Sequence, residues 1–196
     1  MWKSIVLCAV LVCSAIGAGV GAGAAHAATF ESRNFDALAV EAEQVVIGTA
    51  SAATSRRTGE REIVTDYRFD NLDVVKGSVP SATLTLTLLG GTVGAETQSV
   101  AGAPKFIPGV RYLVFVAGNG TVMFPLVGGP QGIFQIRKDS ASGVSRVHDY
   151  SGRPLTQLPG ASAGDGLVNS RTETADPITQ DTFVAAIRNK LAQGAK

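Results

Sequence analysis

Residues Gly102–Ile136 read GAPKFIPGVRYLVFVAGNGTVMFPLVGGPQGIFQI. Within them, Arg111–Ala117 is an apolar run rich in Val, Leu, Phe and Tyr, the composition of a strand. Asn119-Gly120 offers the two residues that tolerate positive φ in a type I′ hairpin turn, so Thr121–Val127 is expected to run back alongside. A Gly/Pro loop follows, and Gly132–Arg137 is expected to be a third strand. The stretch defines a fold of short antiparallel strands and implies no reaction.

Outward from it, other segments carry their own periods. Thr83–Leu89 alternates Leu84, Leu86 and Leu88 with Thr83, Thr85 and Thr87, the pattern of a strand with one buried and one wet face. Ile63–Val75 reads as a long strand with Tyr67 and Phe69 on one side and Asp66, Arg68 and Asp70 on the other. Gln44–Ala53 is expected to be a strand, Ser55–Glu62 a charged turn around Gly59, and Gly90–Ala103 a Gly-rich loop or hairpin with a short strand near Thr97–Val100. Asp139–Gly143 should turn the chain into a last strand over Val144–Tyr150. Asn34–Glu43 reads as a helix capped by Asn34. Thr179–Gln193 reads as a second helix, capped by Thr179, with Phe183, Val184, Ile187 and Leu191 on one stripe that should dock against the strands. Expected core residues are Val45, Ile47, Tyr67, Phe69, Leu84, Leu86, Leu88, Leu113, Phe115, Phe124, Phe134 and Ile136.

The first 27 residues have the parts of a secretory leader: Lys3 in a short positive region, an apolar core over Ile5–Ile16, and Ala25-His26-Ala27 as the cleavage site. Export to the periplasm or the medium, with cleavage after Ala27, is therefore expected. Cleavage would remove both cysteines, Cys8 and Cys13, together with Trp2 and His26. Lys3 is the one charged residue of the leader, so 17 basic and 16 acidic residues become an even balance. A neutral surface offers no field to gather nucleic acid, and no membrane span is expected after the leader. The expected division is leader 1–27, a β-barrel domain over 28–152, an irregular segment over 153–176 and a C-terminal helix over 177–196.

Few residues could carry chemistry. Zinc requires three or four Cys, His or carboxylate ligands, and His148 is the one histidine after the leader. Asp66, Asp70 and Asp73 could offer oxygens to calcium, but they lack the spacing of a calcium loop and Arg68 stands among them, so a solvated strand face is the reading. A triad would have to use His148 with Asp149 beside it or another acid from afar, without a G-x-S-x-G elbow, and a surface or edge histidine is the simpler account. Arg111-Tyr112 and Arg137-Lys138 are scattered hints of a basic surface. Gly102, Pro104, Pro108, Gly109, Gly128, Gly129, Pro130 and Gly132 could line a ligand groove or set turns, and the turn reading is preferred. No catalytic, cofactor-binding or metal residue and no cofactor is assigned.

Several motifs carry a resemblance: Val45-Val46-Ile47-Gly48-Thr49, the strand ending Asp73–Gly77 (DVVKG), Gly90-Gly91, GAPKFIPGVRYLVFV and GGPQGIFQI. Over about Phe35–Leu155 the chain resembles an uncharacterised family of exported bacterial proteins. That family is itself distantly similar to the netrin-like barrel of tissue metalloprotease inhibitors, an OB-type barrel. The resemblance implies a mainly β fold: a small antiparallel OB-like, netrin-like barrel with an N-terminal and a C-terminal helix. The inhibitors chelate the protease zinc through an N-terminal cysteine; the expected mature end here is Ala28, so no inhibitory residue carries over. The expected function is an exported, non-enzymatic binding or structural protein with a protein or small-molecule partner. The alternatives are a protease inhibitor or protease-associated module, and a hydrolase using His148.

Overall fold

The computed structural model describes residues 26–27, 30–60, 62–160 and 176–194. The leader expectation over 1–25 and most of the irregular segment, 161–175, lie outside the described residues. The elements are β1 (His26–Ala27), α1 (Phe35–Glu41), β2 (Gln44–Thr58), β3 (Glu62–Lys76), β4 (Leu84–Leu89), β5 (Gly91–Val93), β6 (Glu96–Gln98), β7 (Val100–Ala101), β8 (Arg111–Val116), β9 (Ile133–Lys138), β10 (Ser145–Asp149) and α2 (Gln180–Gly194). A short 3₁₀ turn, Gly129–Gly132, leads into β9. The protein is mainly β, with a six-stranded antiparallel sheet in the order β10-β9-β8-β2-β3-β4 and two helices. Its end strands are β10 and β4, and no ladder joins them among the described residues, so strand pairing does not close the sheet into a barrel. Two small pairings lie apart from it: β5 with β6, and β1 in parallel with β7.

The centre of the sheet is buried on both faces, which explains why its strands read as continuous apolar runs rather than alternations. Val45, Val46 and Ile47 of β2 stand opposite Phe115, Val114 and Leu113 of β8. Val45, Ile47, Leu113 and Phe115 join Phe134, Ile136 and Val147 beneath the two helices. Val46 and Val114 face the other way, with Tyr67, Phe69, Leu84, Leu86 and Leu88. Register shifts between Val45/Val46, Ile47/Thr49 and Ala50/Ala52 bend the β2–β3 ribbon and coil the sheet around this second core. Phe106, on the loop before β8, fills it: its ring lies 5.2, 4.9 and 5.1 Å from those of Tyr67, Phe69 and Tyr112, all edge to face. That loop is pinned to β2, the Gly109 N–H donating to the Ala50 carbonyl at 2.7 Å.

Both helices begin as their sequences predict. Asn34 Oδ1 accepts the Ala37 N–H at 2.8 Å, and Thr179 Oγ1 accepts the Thr182 N–H at 3.2 Å. At the far end of α1, Lys76 Nζ donates to the carbonyls of Ala39 and Val40 at 2.9 and 3.0 Å, meeting groups the helix leaves unpaired. The lysine of the V-K-G motif thus fastens β3 to α1. The stripe on α2 is docked as expected: Phe183 and Ile187 are fully buried, and the Phe183 ring lies 5.5 Å from Phe35 and 4.9 Å from Phe134. A Lys190–Asp36 ion pair links α2 to α1.

Three expectations are corrected. The segment Ser55–Thr58 is strand, because Ser55, Arg56 and Arg57 pair with Thr65, Val64 and Ile63, leaving a tight turn at Gly59-Glu60. Its charges stand on opposite faces of the ribbon, Arg56 meeting Asp66 and Arg57 meeting Glu96. Of Thr121–Val127 only the end returns along β8, as a single antiparallel bridge between Leu126 and Val116 with the Val127 N–H donating to the Phe115 carbonyl at 2.9 Å, and no strand forms over Thr121–Phe124. Positive φ falls on Gly118 and Gly120 rather than on Asn119 and Gly120, so no type I′ turn forms. The N–H groups of Thr121 and Val122 both turn back to the Gly118 carbonyl, leaving β9 to take the place beside β8. As a consequence Phe124 is half-buried, while the other expected core residues are buried.

Candidate functional site

The 117–132 connection between β8 and β9 builds a concavity beside the sheet. The arm 30–34 crosses it, held by one side chain. Gln131 Oε1 accepts the Arg33 N–H at 2.9 Å, and Gln131 Nε2 donates to the Glu31 carbonyl at 2.9 Å. The arm rests where side chains are absent. A Cβ at Gly129 would strike the Phe30 ring, and one at Gly132 would strike the Val127 carbonyl oxygen. The G-G-P-Q-G motif therefore seats and clamps the arm. Gly128 lines the groove as well, so both sequence readings of the glycines apply here, whereas Gly109 only turns the chain.

On one side of the arm lies a groove of about 470 Å³ lined by Phe30, Arg33, Val122, Phe124 and Leu126. Phe30 and Phe124 meet edge to face at 5.9 Å. Arg33 is spanned by Glu31 and Glu41 at 2.8 and 3.0 Å, so one guanidinium and two carboxylates line the groove beside its apolar residues. Val122 and Met123 at its margin are 51% and 53% exposed, although both are large and apolar. On the other side of the arm a pocket of about 300 Å³ is lined by Asn34, Pro130, Phe134, Tyr150, Leu155 and Pro159. Sequence reasoning missed the groove because Gln131 and its partners Arg33 and Glu31 are 98 and 100 residues apart.

The residues singled out for chemistry are mostly tied into the fold. Asp66 accepts from Arg56 at 2.6 and 3.3 Å and from the Thr87 hydroxyl at 2.7 Å, and Arg68 donates to Asp70 at 3.0 Å. Among the described residues no three His, Cys, Asp or Glu side chains are grouped to hold a metal ion. Asp149, beside His148, accepts from the Arg153 N–H and Nε at 2.9 and 2.8 Å. No serine hydroxyl reaches His148 among the described residues, so no triad is assembled. His148 stands on the edge strand β10, as expected; its Nδ1 is buried with no hydrogen-bond partner in the described residues. Burial, with Arg137 nearby, holds its pKa below the ordinary histidine value, outweighing the Arg146 backbone and Asp149. Arg111 donates to the Asn71 carbonyl at 3.1 Å, and the Tyr112 hydroxyl accepts the Ile107 N–H at 3.1 Å, so this pair is structural.

The paired carboxylates make the fold acid-sensitive. Burial alone would raise the pKa of Asp66, but hydrogen bonds from Arg56 and Thr87, with the Arg56 charge, hold it below the ordinary value. Hydrogen bonds from Ser51 and Arg68 lower Asp70, and those from Ser142 lower Asp139. A carboxyl whose folded pKa is depressed contributes stability above its unfolded pKa of about 3.9, and that contribution disappears as pH falls through the folded value. Urea melts of the protein and of Asp66→Asn should therefore differ at pH 7 and converge by about pH 2. A difference that does not depend on pH would show that the Arg56–Asp66 pair contributes nothing.

The arrangement defines a mainly β protein with a clamped groove beside its sheet. No family model, no curated protein and no solved structure matches the chain. No described helix is long and apolar enough to cross a membrane.

Proposed function

We propose that this is an exported, non-enzymatic binding protein of the OB-like, netrin-like barrel type, allied to the exported bacterial family its motifs resemble, and that the groove beside Phe30 and Phe124 binds an apolar side chain of a protein partner. The observation that carries the reading is the groove itself, with Val122 and Met123 exposed at its margin while Gln131 holds its wall in place. The motif residues support a binding scaffold over an enzyme: Lys76 ties β3 to α1, Phe106 fills the inner core, and Gln131 clamps the arm. Support for the barrel type comes from the coiling at the β2 bulges and from Asn119. Its Nδ2 donates to the Thr85 carbonyl of β4 at 2.9 Å, bringing the β8–β9 connection against the far end of the sheet. Export with cleavage after Ala27 fits this architecture, since it would remove β1 and its pairing with Val100–Ala101 and leave the six-stranded sheet whole.

The test is a comparison of captured partners. Val122→Asp with Met123→Asp alters two exposed side chains, so the change in folding stability should stay within about 0.5 kcal/mol for each. Immobilised wild-type protein should retain a partner from the exoproteome that the double variant loses. Equal retention by both would overturn the groove as the binding surface. Amino-terminal sequencing of the exported product should begin at Ala28.

A further inference from the structure

The second feature of interest lies away from the groove, on the β9–β10 hairpin. The Asp139–Gly143 turn sets the register so that Arg137 of β9 stands directly opposite Arg146 of β10, with His148 opposite Gln135 and Lys138 opposite Ser145. Cross-strand partners share a face, and so do residues two apart on one strand. Arg137, Arg146 and His148 therefore share one face of the hairpin, while Ile136 and Val147 point into the core beneath the helices. Like charges in directly opposed positions destabilise a ladder. Here neither guanidinium is closed into an ion pair among the described residues, although the Arg146 charge adds to the Ser142 hydrogen bonds in lowering the pKa of Asp139. Arg137 Nε and Nη2 donate to Gln135 Oε1 at 3.1 and 2.7 Å, and Arg146 Nη1 donates to the Pro177 carbonyl at 2.8 Å. Neutral acceptors orient a guanidinium without cancelling its charge. Among the described residues none of Arg137, Lys138 and Arg146 forms an ion pair.

These side chains line a cavity of about 530 Å³ with His148, Asp139, Asp176 and Pro177. Of the acids nearby, Asp139 is engaged by the N–H groups of Ala141 and Ser142, Asp149 is engaged by Arg153, and Asp176 stands exposed at the rim. Among the residues that line the cavity three cations, Arg137, Lys138 and Arg146, stand against two carboxylates, Asp139 and Asp176, and two of the cations are guanidinium groups oriented by their own hydrogen bonds. Preorganised guanidinium donors of this kind suit an anion with several oxygens.

We propose that the cavity at this face of the β9–β10 hairpin, with Arg137 and Arg146 beside His148 on the face and Lys138 lining the cavity from the strand end, is a binding site for a tetrahedral oxyanion, phosphate or sulfate. The anion lies between the two arginines, relieves their repulsion across the ladder and takes a further contact from Lys138. The site is independent of the groove: its test uses no partner protein and alters no groove residue. A bound anion adds negative charge beside His148, whose other charged neighbours are Arg137, Lys138, Asp139, Arg146, Asp149 and Asp176, so its pKa should move up.

The experiment follows the Arg Nε–Hε and His148 ring resonances of the full chain during titration with inorganic phosphate and, separately, inorganic sulfate, with ionic strength held constant by sodium chloride. His148→Gln identifies the histidine signal. A saturable shift of the Arg137 and Arg146 signals, an upward move of the His148 pKa and a rise in melting temperature with phosphate are expected. Arg137→Gln with Arg146→Gln should weaken binding by about tenfold or more, the loss expected for charge-assisted contacts. Lys138→Gln, whose side chain makes no hydrogen bond among those described, should weaken it more modestly and serves if the double variant does not fold. Response to both anions, or to one, supports the site and ranks its ligands. A shift that does not saturate, one that sodium chloride reproduces, or one that survives Lys138→Gln and the folded double variant unchanged would overturn it. So would retention on vesicles containing phosphatidylglycerol without a response to either free anion, since that is diffuse attraction to a charged surface.

Discussion

Ending the chain after Asp176 is expected to abolish cooperative unfolding near room temperature or to lower the melting temperature by more than ten degrees, on the order of 5 kcal/mol or more of stability. The truncation removes Phe183 and Ile187, both fully buried, and half-uncovers Phe35 and Phe134, which pack on the Phe183 ring. Burial of one such side chain contributes about 1.5–3 kcal/mol, and a domain of this size holds only about 5–15 kcal/mol in total. The loss also reaches the backbone, because the Val147 N–H donates to the Ile178 carbonyl at 2.9 Å and Ile178 would be gone. A thermal melt monitored by circular dichroism, with an apolar dye as a second probe, reads both effects. An unchanged melt without dye binding would show that α2 adds nothing to the fold.

Phe115→Ala is the second large effect. Its ring is fully buried, lies 5.9 Å from that of Phe134 and stands in register with Val45 on the helix-covered face. Truncating a buried Phe costs about 3–5 kcal/mol, part for lost transfer free energy and part for the cavity left behind. Its main chain keeps its role, the Phe115 carbonyl accepting the Val127 N–H at 2.9 Å, so the loss is one of packing. The urea midpoint should fall with little change in slope. A midpoint within experimental error of the wild type would mean that the cavity is refilled by its neighbours. That result would place the helix-side core among the unusually plastic ones.

What could be read from the sequence was whatever rests on a local signal. Asn34 and Thr179 cap their helices because capping needs residues three apart in the chain. The Leu/Thr alternation of β4 survives because its two faces see different solvents. Tyr112, Val114 and Ile133 were missed as core residues because a single apolar run does not reveal that both of its faces are covered. The hairpin at Asn119 failed for a subtler reason. An Asn-Gly pair permits a type I′ turn, but Gly118 before it and Pro125 after it permit another path, and β9 competes for the same edge of β8. The groove depends on contacts across the chain and had no local sign. The opposed arginines had none either: a turn over Asp139–Gly143 would pair Lys138 with Val144 and Arg137 with Ser145, whereas the Asp139 N–H itself donates to the Val144 carbonyl and the register moves by one to set Arg137 against Arg146.

The margins of the sheet also differ. Along the outer side of β10 the chain covers itself: Asp149 N–H donates to the Arg153 carbonyl, Leu155 N–H to the Val147 carbonyl and Val147 N–H to the Ile178 carbonyl. At the opposite margin no described strand pairs beyond β4, where Asn119 occupies the Thr85 carbonyl. A sheet that can accept a neighbour along one border only has a limited repertoire of self-association. Two copies meeting through their backbones would have to set β4 against β4, which uses both available borders and ends at a two-fold pair. Indefinite growth needs two free borders on every subunit. The short return of chain over β10 thus blocks one border of the six-stranded sheet to a strand from another copy and leaves β4 as its one border open to such pairing among the described residues.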